Sequence, residues 1–349
     1  MQDSPKDSAS TPPKGDTHAF LVWASVGDRE SVREAVRQGN FDELRSAANS
    51  KLVFMTERYC RLRDSVEIFE PTLHDLWYGY YQGAKSLSYA SAGLDRLAFD
   101  ILRTRGLGPL TRPVHGSHGV EIARTPAGVL WEDLPFFVTD MTDFWINDCA
   151  TMEASQRLNF AYFLARLAST GLDNDRLCQI ALLVFRDTFE TVRPIGSLEK
   201  SGDGTMHDLS IAALLPAACA WIREAGRKII QLSDMSWNDC AGTIGQGGAT
   251  FTQSELGQRS SAGFSPWRWM YWLKRLDEIM QEATQAGEKN LAEYASEAIE
   301  FMLSHVEERK SRVLREFEAA GDFIQDKSRF SIGKFLGWDQ NSEGVYEEA

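Results

Sequence analysis

Apolar residues recur three and four positions apart along most of the chain, a spacing that predicts helices. The strongest case is the stretch 131–149, which is rich in aromatic and acidic residues. At about 100° per residue, Phe137, Met141, Phe144 and Trp145 share one arc of a helix. We therefore expect this segment to form a central helix that buries its apolar arc against the rest of the protein.

Two residues predict where the central helix begins. Asp133 is a good N-cap because its carboxylate can accept hydrogen bonds from free backbone N–H groups. Pro135 would then lie in the first turn, where its missing N–H costs nothing. The predicted helix runs from about residue 134 to Cys149.

The same periodicity predicts an all-α fold, a single large helical bundle of about ten helices. One short β-hairpin is expected from Val120–Ile122 and Val129–Trp131, which flank a Thr-Pro-Ala-Gly turn. The helix over 208–232 is the most apolar, and Pro216 should kink it or split it in two. The helices expected to build the core are 134–149, 153–169, 176–191, 208–232 and 265–283.

Composition changes along the chain indicate its domain limits. Residues 1–19 are predicted to be a disordered N-terminal tail, 20–335 the helical domain, and 336–349 an acidic C-terminal tail. Residues 233–264 contain many glycines and are predicted to form a long loop of mobile or functional character.

Charge and cysteine content narrow the classes of partner. The chain of 349 residues carries a formal net charge of −13, which would repel nucleic acid and anionic membranes, so we predict that it binds neither. Its five cysteines are odd in number and scattered, which favours reduced thiols and a cytoplasmic protein. We predict neither a signal peptide nor a membrane-spanning segment.

The acids of the central helix are the nearest approach to a reactive site. Asp140 lies at the border of the apolar arc, Asp143 lies further round, and Asp148 returns near its centre. An acid on an apolar face needs a partner, a metal or a proton. The structural interpretation is one cap, solvated acids and one buried hydrogen bond; the functional one is an acid cluster. The candidate catalytic residues are Asp140, Asp143, Asp187 and Glu190.

A class I terpene cyclase would use such acids to hold Mg²⁺ beside an aromatic cavity. Asp140 and Asp143 make only half of its aspartate-rich motif, and Leu182 stands where the second motif needs a glutamate. His115 and His118 could contribute to a zinc site only with further ligands, so we interpret them as parts of a glycine-rich loop. Outside the cyclase alternative we predict no metal and no cofactor.

Several motifs resemble the fungal domain-of-unknown-function family 3632 over roughly Thr72 to Glu282. They are Leu76-Trp77 with Ala84-Lys85, Leu130-Trp131-x-Asp133-Leu134-Pro135-Phe136, Leu214-Leu215-Pro216-Ala217-Ala218 with Trp221, and Gly263-Phe264-Ser265-Pro266-x-Arg268-Trp269-x-x-Trp272. The resemblance implies a filamentous fungus, an all-helical fold and genes placed beside those of secondary metabolism. It supplies no catalytic residues. A looser likeness links the chain to non-canonical fungal humulene synthases.

These observations lead to an expected function and two alternatives. The leading hypothesis is an accessory protein of fungal secondary metabolism that binds a small apolar molecule or a partner protein beside the central helix and the 233–264 loop. The alternatives are a Mg²⁺-dependent terpene cyclase and a purely structural helical scaffold. The expected ligand-binding residues are Trp131, Asp133, Phe137, Trp145, Asp148, Trp269 and Trp272.

Overall fold

The computed structural model describes residues 28–114, 116, 119–196 and 205–320. The predicted tails, 1–19 and 336–349, and both His115 and His118 lie outside the described residues. The described part divides into two compact units, one ending at Met141 and the other beginning at Thr142. Each unit is described separately, and the extent of a single domain over 20–335 stays a prediction.

The first unit is built mainly from four helices. Gly39, with a φ of 70°, ends the first of them, and the side chain of Asn40 accepts a hydrogen bond from Glu43 N to start the next. Apolar residues at helical spacing, such as Leu73, Leu76 and Leu97, are buried between the helices. The helices are α1 (28–37), α2 (Phe41–Glu57), α3 (Glu70–Ser86) and α4 (Ala92–Arg105).

Two short antiparallel strand pairs follow α4 in the described part of this unit. Strand β1 (Thr111–Pro113) pairs with β2 (Val120–Ile122), and β3 (Arg124–Thr125) pairs with β4 (Gly128–Val129). A short hairpin at the Thr-Pro-Ala-Gly turn is thus confirmed, but its first arm is β3 and not Val120–Ile122. Strand β2 pairs instead with β1, an extended segment that follows α4.

The start of the central helix was predicted wrongly. Helix α5 spans Phe137–Asp148 and not 134–149. Trp131, Leu134 and Phe136 have φ values of 69°, 49° and 66°, which right-handed helical residues do not adopt. The carboxylate of Asp133 accepts a hydrogen bond from Val129 N at 2.7 Å, so it closes the turn after β4 instead of capping α5.

The burial of α5 follows its predicted arc. Phe137, Met141 and Trp145 are buried, and Phe144 is half-buried. The indole N–H of Trp77 donates to Pro135 O at 2.8 Å, and its ring meets Phe137 edge-on at 5.1 Å within the first unit. The aromatic side chains at the start of α5 are therefore core residues of that unit.

The second unit contains the longer apolar helices. Pro216 lies inside α8, yet the helix continues through it, so the predicted split does not occur. The predicted helix at 176–191 begins later, at Gln179, because the residues before it, Leu172–Cys178, form a 3-10 helix. The helices are α6 (Ala154–Ser169), α7 (Gln179–Phe189), α8 (Ile211–Asp234), α9 (Gly242–Gly245), α10 (Ala249–Thr252), α11 (Glu255–Gln258), α12 (Pro266–Ala286), α13 (Lys289–Arg309) and α14 (Arg312–Ala320).

The segment predicted as one long loop, 233–264, is partly helical, since it contains α9, α10 and α11. After it, Ser265 caps α12 as its sequence predicts: its hydroxyl accepts a hydrogen bond from Arg268 N. Short polar turns with glycines can form single helical turns when neighbouring residues satisfy their carbonyls.

The cysteines and the apolar content of the helices test two further expectations. All five cysteines are free thiols, in agreement with the prediction, and burial raises the pKa of Cys149 to about 12. Among the helices of the described residues, none combines the length and the apolar composition required to cross a bilayer.

Gly128 provides a test of the hairpin. Its φ is 132°, and an added Cβ would lie 2.7 Å from Asp133 Cβ. Gly128→Ala should lower the free energy of unfolding by about 1–3 kcal/mol, because it strains the backbone and displaces the Asp133 carboxylate. Chemical denaturation measures this change.

Gly79 is the matched control for Gly128. It lies inside α3, and an added Cβ would meet nothing within 4 Å. Gly79→Ala should leave stability unchanged or raise it by up to about 1 kcal/mol, since alanine favours helix. Equal losses for both variants would contradict the role assigned to the β4 turn.

Candidate functional site

A groove with a volume of about 480 Å³ lies in the first unit, where α2, α3 and α4 meet. We call it the α2–α4 groove. Small-molecule sites commonly enclose about 300–1,000 Å³, so this groove is large enough for a ligand. Its lining residues are Arg45, Asn49, Leu52, Val53, Thr56, Glu57, Tyr80, Asp100, Arg103, Thr104 and Leu107.

Helical spacing explains how α2 forms one wall of the groove. Arg45, Asn49, Leu52 and Thr56 are separated by four, three and four residues, which places them on one face of the helix. Val53 lies beside them and leaves 49% of its surface exposed. The wall therefore combines polar groups with an accessible aliphatic surface.

Helix α4 forms the opposite wall, with Asp100, Arg103 and Thr104 one turn apart. Leu107 follows the end of the helix and is 63% exposed. Exposed aliphatic groups on both walls give the groove an apolar surface that a ligand could cover.

A bidentate ion pair joins the two walls. Arg45 Nε lies 2.8 Å from Asp100 Oδ2, and Arg45 Nη2 lies 3.2 Å from Asp100 Oδ1. This hydrogen bonding raises the pKa of Arg45, so the guanidinium stays charged. Because Arg45 and Asp100 neutralise each other and share two hydrogen bonds, the pair shapes the groove, but neither side chain has much capacity left to bind a ligand.

Other polar groups of the groove differ in whether they already have partners. The hydroxyls of Thr56 and Thr104 donate to Leu52 O and Asp100 O of their own helices. The side chains of Asn49, Tyr80 and Arg103, by contrast, make no hydrogen bond or ion pair with any residue that the structure describes.

Tyr80 forms the floor of the groove. It is only 5% exposed, and desolvation by burial raises the pKa of its hydroxyl, with a smaller contribution from Asp100. The phenol is therefore a neutral hydrogen-bond donor at physiological pH. A buried donor without a protein acceptor is usually satisfied by water or by a ligand.

A second polar cluster in the first unit contains the predicted candidate Asp140. Asp140 is buried, and His74 Nδ1 lies 2.9 Å and 2.7 Å from its two carboxylate oxygens. Phe136 packs on the imidazole at 4.7 Å, and Glu70 lies 3.9 Å from Nε2. His74 is therefore the partner that a buried Asp140 needs. The hydrogen bond to Asp140 raises the pKa of His74.

The predicted candidate Glu190 lies in a buried cluster of the second unit. Glu190 and Arg268 are both fully buried, with Arg268 Nε 2.6 Å and Nη2 2.9 Å from the two carboxylate oxygens. Glu190 also accepts hydrogen bonds from Trp272 Nε1 at 2.7 Å and Gly248 N at 2.7 Å. We call these four residues the Glu190–Arg268 cluster.

The Glu190–Arg268 cluster anchors the segment that was predicted to be a mobile loop. Arg268 Nη1 donates to Gly245 O at 2.8 Å and to Gly263 O at 2.9 Å, which ties the middle and the end of this segment to α12. Both carboxylate oxygens of Glu190 and both terminal nitrogens of Arg268 are hydrogen-bonded. These contacts assign the pair a stabilising role and leave Glu190 little capacity for catalysis.

The other predicted acids have separate surroundings. Asp143 is exposed, and Asp148 is half-buried at the end of α5. Burial raises the pKa of Asp187, although the nearby Arg186 and Arg193 partly oppose that shift. Among the described residues, no three His, Cys, Asp or Glu side chains come close enough together to bind a metal ion. The acids thus give no support to the cyclase alternative.

The aromatic residues predicted to bind a ligand are buried in the packing of their own units. None of them lines the α2–α4 groove, and Asp133 and Asp148 do not line it either. Two of those in the second unit pack on other aromatic rings: Trp145 on Phe160 and Trp272 on Phe185. The buried set consists of Trp131, Phe137, Trp145, Trp269 and Trp272.

Sequence reasoning missed the α2–α4 groove because its residues come from three separate helices. The available signal was the face of α2 on which polar Arg45 and Asn49 alternate with Leu52, since a purely solvated face rarely carries aliphatic residues at this spacing. That Arg103 and Tyr80 have no hydrogen-bond partner among the described residues could not be predicted from the sequence, because it depends on which residues pack beside them.

Comparisons with known proteins identify relatives of the chain. Residues 77–276 match the model of a family described as "Protein of unknown function (DUF3632)". The chain is 46% identical over 328 residues to the oxopyrrolidines biosynthesis cluster protein G of Penicillium oxalicum, an alignment that covers 92% of this chain and 91% of that protein. No solved structure matches the chain. The resemblance noted from the motifs is thereby confirmed.

The Glu190–Arg268 cluster predicts a large stability effect. Glu190→Gln should lower the free energy of unfolding by about 3–5 kcal/mol, because it leaves the Arg268 charge buried without its counter-ion. Chemical denaturation measures the change. The control is Glu308→Gln, which breaks an exposed pair with Arg227 in the same unit and should cost less than about 1 kcal/mol. If Glu190→Gln also lowered the free energy of unfolding by less than about 1 kcal/mol, that result would contradict the stabilising role.

The His74–Asp140 pair predicts a pH effect. Because the folded pKa of His74 is raised, its contribution is complete below its ordinary pKa of about 6.5 and disappears as the pH rises through the raised value. His74→Gln should therefore destabilise the protein more at about pH 5.5 than at about pH 9. In an Asp140→Asn background this pH dependence should vanish. Its persistence there would show that Asp140 is not the cause.

Proposed function

Because the chain belongs to the DUF3632 family, we propose that it is an accessory protein of fungal secondary-metabolite biosynthesis that binds a small amphipathic molecule in the α2–α4 groove. The observation that carries the proposal is a groove of ligand size whose walls combine exposed aliphatic groups with uncommitted polar ones. The proposal changes the location expected from the sequence, which was a groove beside the central helix and the 233–264 loop.

The relative supports the metabolic part of the proposal. The Penicillium oxalicum protein is named for an oxopyrrolidines biosynthesis cluster, and the alignment with it covers nearly the whole of both chains. Family membership on its own does not establish a function, since related folds can host different activities. The groove adds a physical site at which a metabolite or pathway intermediate would bind.

The chemistry of the groove favours binding over turnover. Arg45 and Asp100 already form an ion pair with each other, and the hydroxyls of Thr56 and Thr104 already donate to backbone carbonyls of their own helices. The uncommitted groups are an amide, a phenol and a guanidinium, which are suited to orienting a ligand by hydrogen bonds. The exposed aliphatic surface of Val53 and Leu107 would contribute the apolar part of the affinity.

A groove-filling variant tests this proposal. Purified protein is incubated with an organic extract of a Penicillium oxalicum culture, and the metabolites that remain with it after ultrafiltration are measured by mass spectrometry. The wild-type protein should retain one or more small molecules. Thr56→Trp should lose them, because an indole at this position occupies the space between the walls.

The matched control places the same side chain elsewhere on α2. Ser50 is exposed and does not line the groove, so Ser50→Trp should retain the metabolites. Circular dichroism and thermal unfolding establish that both variants are folded. Equal retention by the two variants, or no retention by the wild-type protein, would contradict the proposed site.

A further inference from the structure

The charge balance of the α2–α4 groove indicates which ligands it would select. Arg45 and Asp100 neutralise each other, and Glu57 lies 3.1 Å from the guanidinium of Arg61 outside the groove. Arg103 is the one cation lining the groove that has no acceptor among the described residues. Its charge is therefore available to an anion.

The helix dipole of α4 explains why a positive charge is favourable at Arg103, but it does not explain why the guanidinium faces the groove without an acceptor among the described residues. Arg103 lies in the last turn of α4, where the helix dipole favours a positive charge. The dipole does not supply a hydrogen-bond acceptor, however, and a guanidinium has five N–H donors that fit a carboxylate in a bidentate manner. Arg105 in the same last turn has the same dipole and does not line the groove.

Tyr80 is the second, independent observation. Its side chain is about nineteen-twentieths buried, lines the floor of the groove and has no hydrogen-bond partner among the described residues. Arg103 and Tyr80 are close enough for the arginine charge to lower the pKa of the phenol, against the larger effect of burial. A cationic donor on the wall and a neutral donor on the floor thus approach the same space.

A protein with a net charge of −13 repels anions at long range. At physiological ionic strength this repulsion is screened beyond about 8 Å. An anion that reaches the groove would therefore respond mainly to the nearby Arg103, and the apolar surface of Leu52, Val53 and Leu107 would accommodate an aliphatic part of the same molecule.

We propose that the α2–α4 groove selects small aliphatic carboxylates, with the carboxylate held by Arg103 and Tyr80 and the hydrocarbon part on Leu52, Val53 and Leu107. This inference rests on the proposed function, which it deepens by naming the ligand class. A neutral molecule of the same shape would keep the apolar contacts and lose the charge-assisted hydrogen bonds.

A matched pair of probes, octanoate and octanamide, tests the selection. Isothermal titration calorimetry at fixed ionic strength should show octanoate binding about 10-fold more tightly than octanamide to the wild-type protein, as expected for one charge-assisted contact. Arg103→Gln should remove this preference by weakening octanoate alone. Arg105→Gln should leave both affinities unchanged.

Tyr80→Phe separates a binding role from a structural one. Because the hydroxyl makes no hydrogen bond with any residue that the structure describes, its removal should not alter thermal unfolding, yet it should weaken octanoate binding several-fold. Unchanged octanoate binding in Tyr80→Phe would overturn the role of the phenol.

The remaining outcomes distinguish this inference from the proposed function. Equal binding of octanoate and octanamide, abolished for both by Thr56→Trp, would overturn the carboxylate selection and leave the groove as the ligand site. Octanoate binding that survives Thr56→Trp, or an octanoate affinity that Arg103→Gln leaves unchanged, would overturn the assignment of these groups. Failure of both probes to bind would overturn the ligand class, whereas the metabolite-retention experiment decides the proposed function by itself.

Discussion

The groove depends on the ion pair between Arg45 and Asp100. Its two hydrogen bonds join α2 to α4 and so fix the separation of the two walls. The pair also removes one positive and one negative charge from the groove, which leaves Arg103 as the unbalanced group. A partly exposed pair contributes little to stability, so its importance here is geometric: it determines where the remaining donors lie.

The second unit uses a buried ion pair in a different way. The Glu190–Arg268 cluster is closed to solvent and satisfied by backbone and indole groups, and it fastens the glycine-rich segment 242–263 to α12. Burying two charges is costly unless every polar atom has a partner. Glu190, a candidate catalytic acid in the sequence, is thus fully engaged in hydrogen bonds and an ion pair, because Arg268, Trp272 and Gly248 reach it from distant parts of the chain.

Periodicity predicted most of the helices, including the buried face of α5 and the Ser265-Pro266 start of α12. The errors arose where backbone conformation and distant contacts override composition. Positive φ values at Trp131, Leu134 and Phe136 delay α5, and the glycine-rich segment contains short helices and is tied to Arg268 at Gly245 and Gly263. The candidate site was not predicted, because the sequence analysis looked for it among aromatic residues. Aromatic residues such as Trp145 are buried in the core, and the α2–α4 groove is lined mainly by aliphatic and polar side chains. Whether Arg103 or Tyr80 has a partner is a tertiary property that one sequence cannot supply.

In the proposed complex, a ligand carboxylate lies between Arg103 and Tyr80 in the α2–α4 groove. The most direct measurement is a crystal structure of the protein soaked with octanoate. We expect electron density for octanoate in the groove. Its carboxylate should lie within hydrogen-bonding distance of the Arg103 guanidinium and the Tyr80 hydroxyl, and its hydrocarbon chain should lie along Leu52 and Leu107. A carboxylate bound elsewhere, or octanoate in the groove with its carboxylate turned away from Arg103, would contradict it.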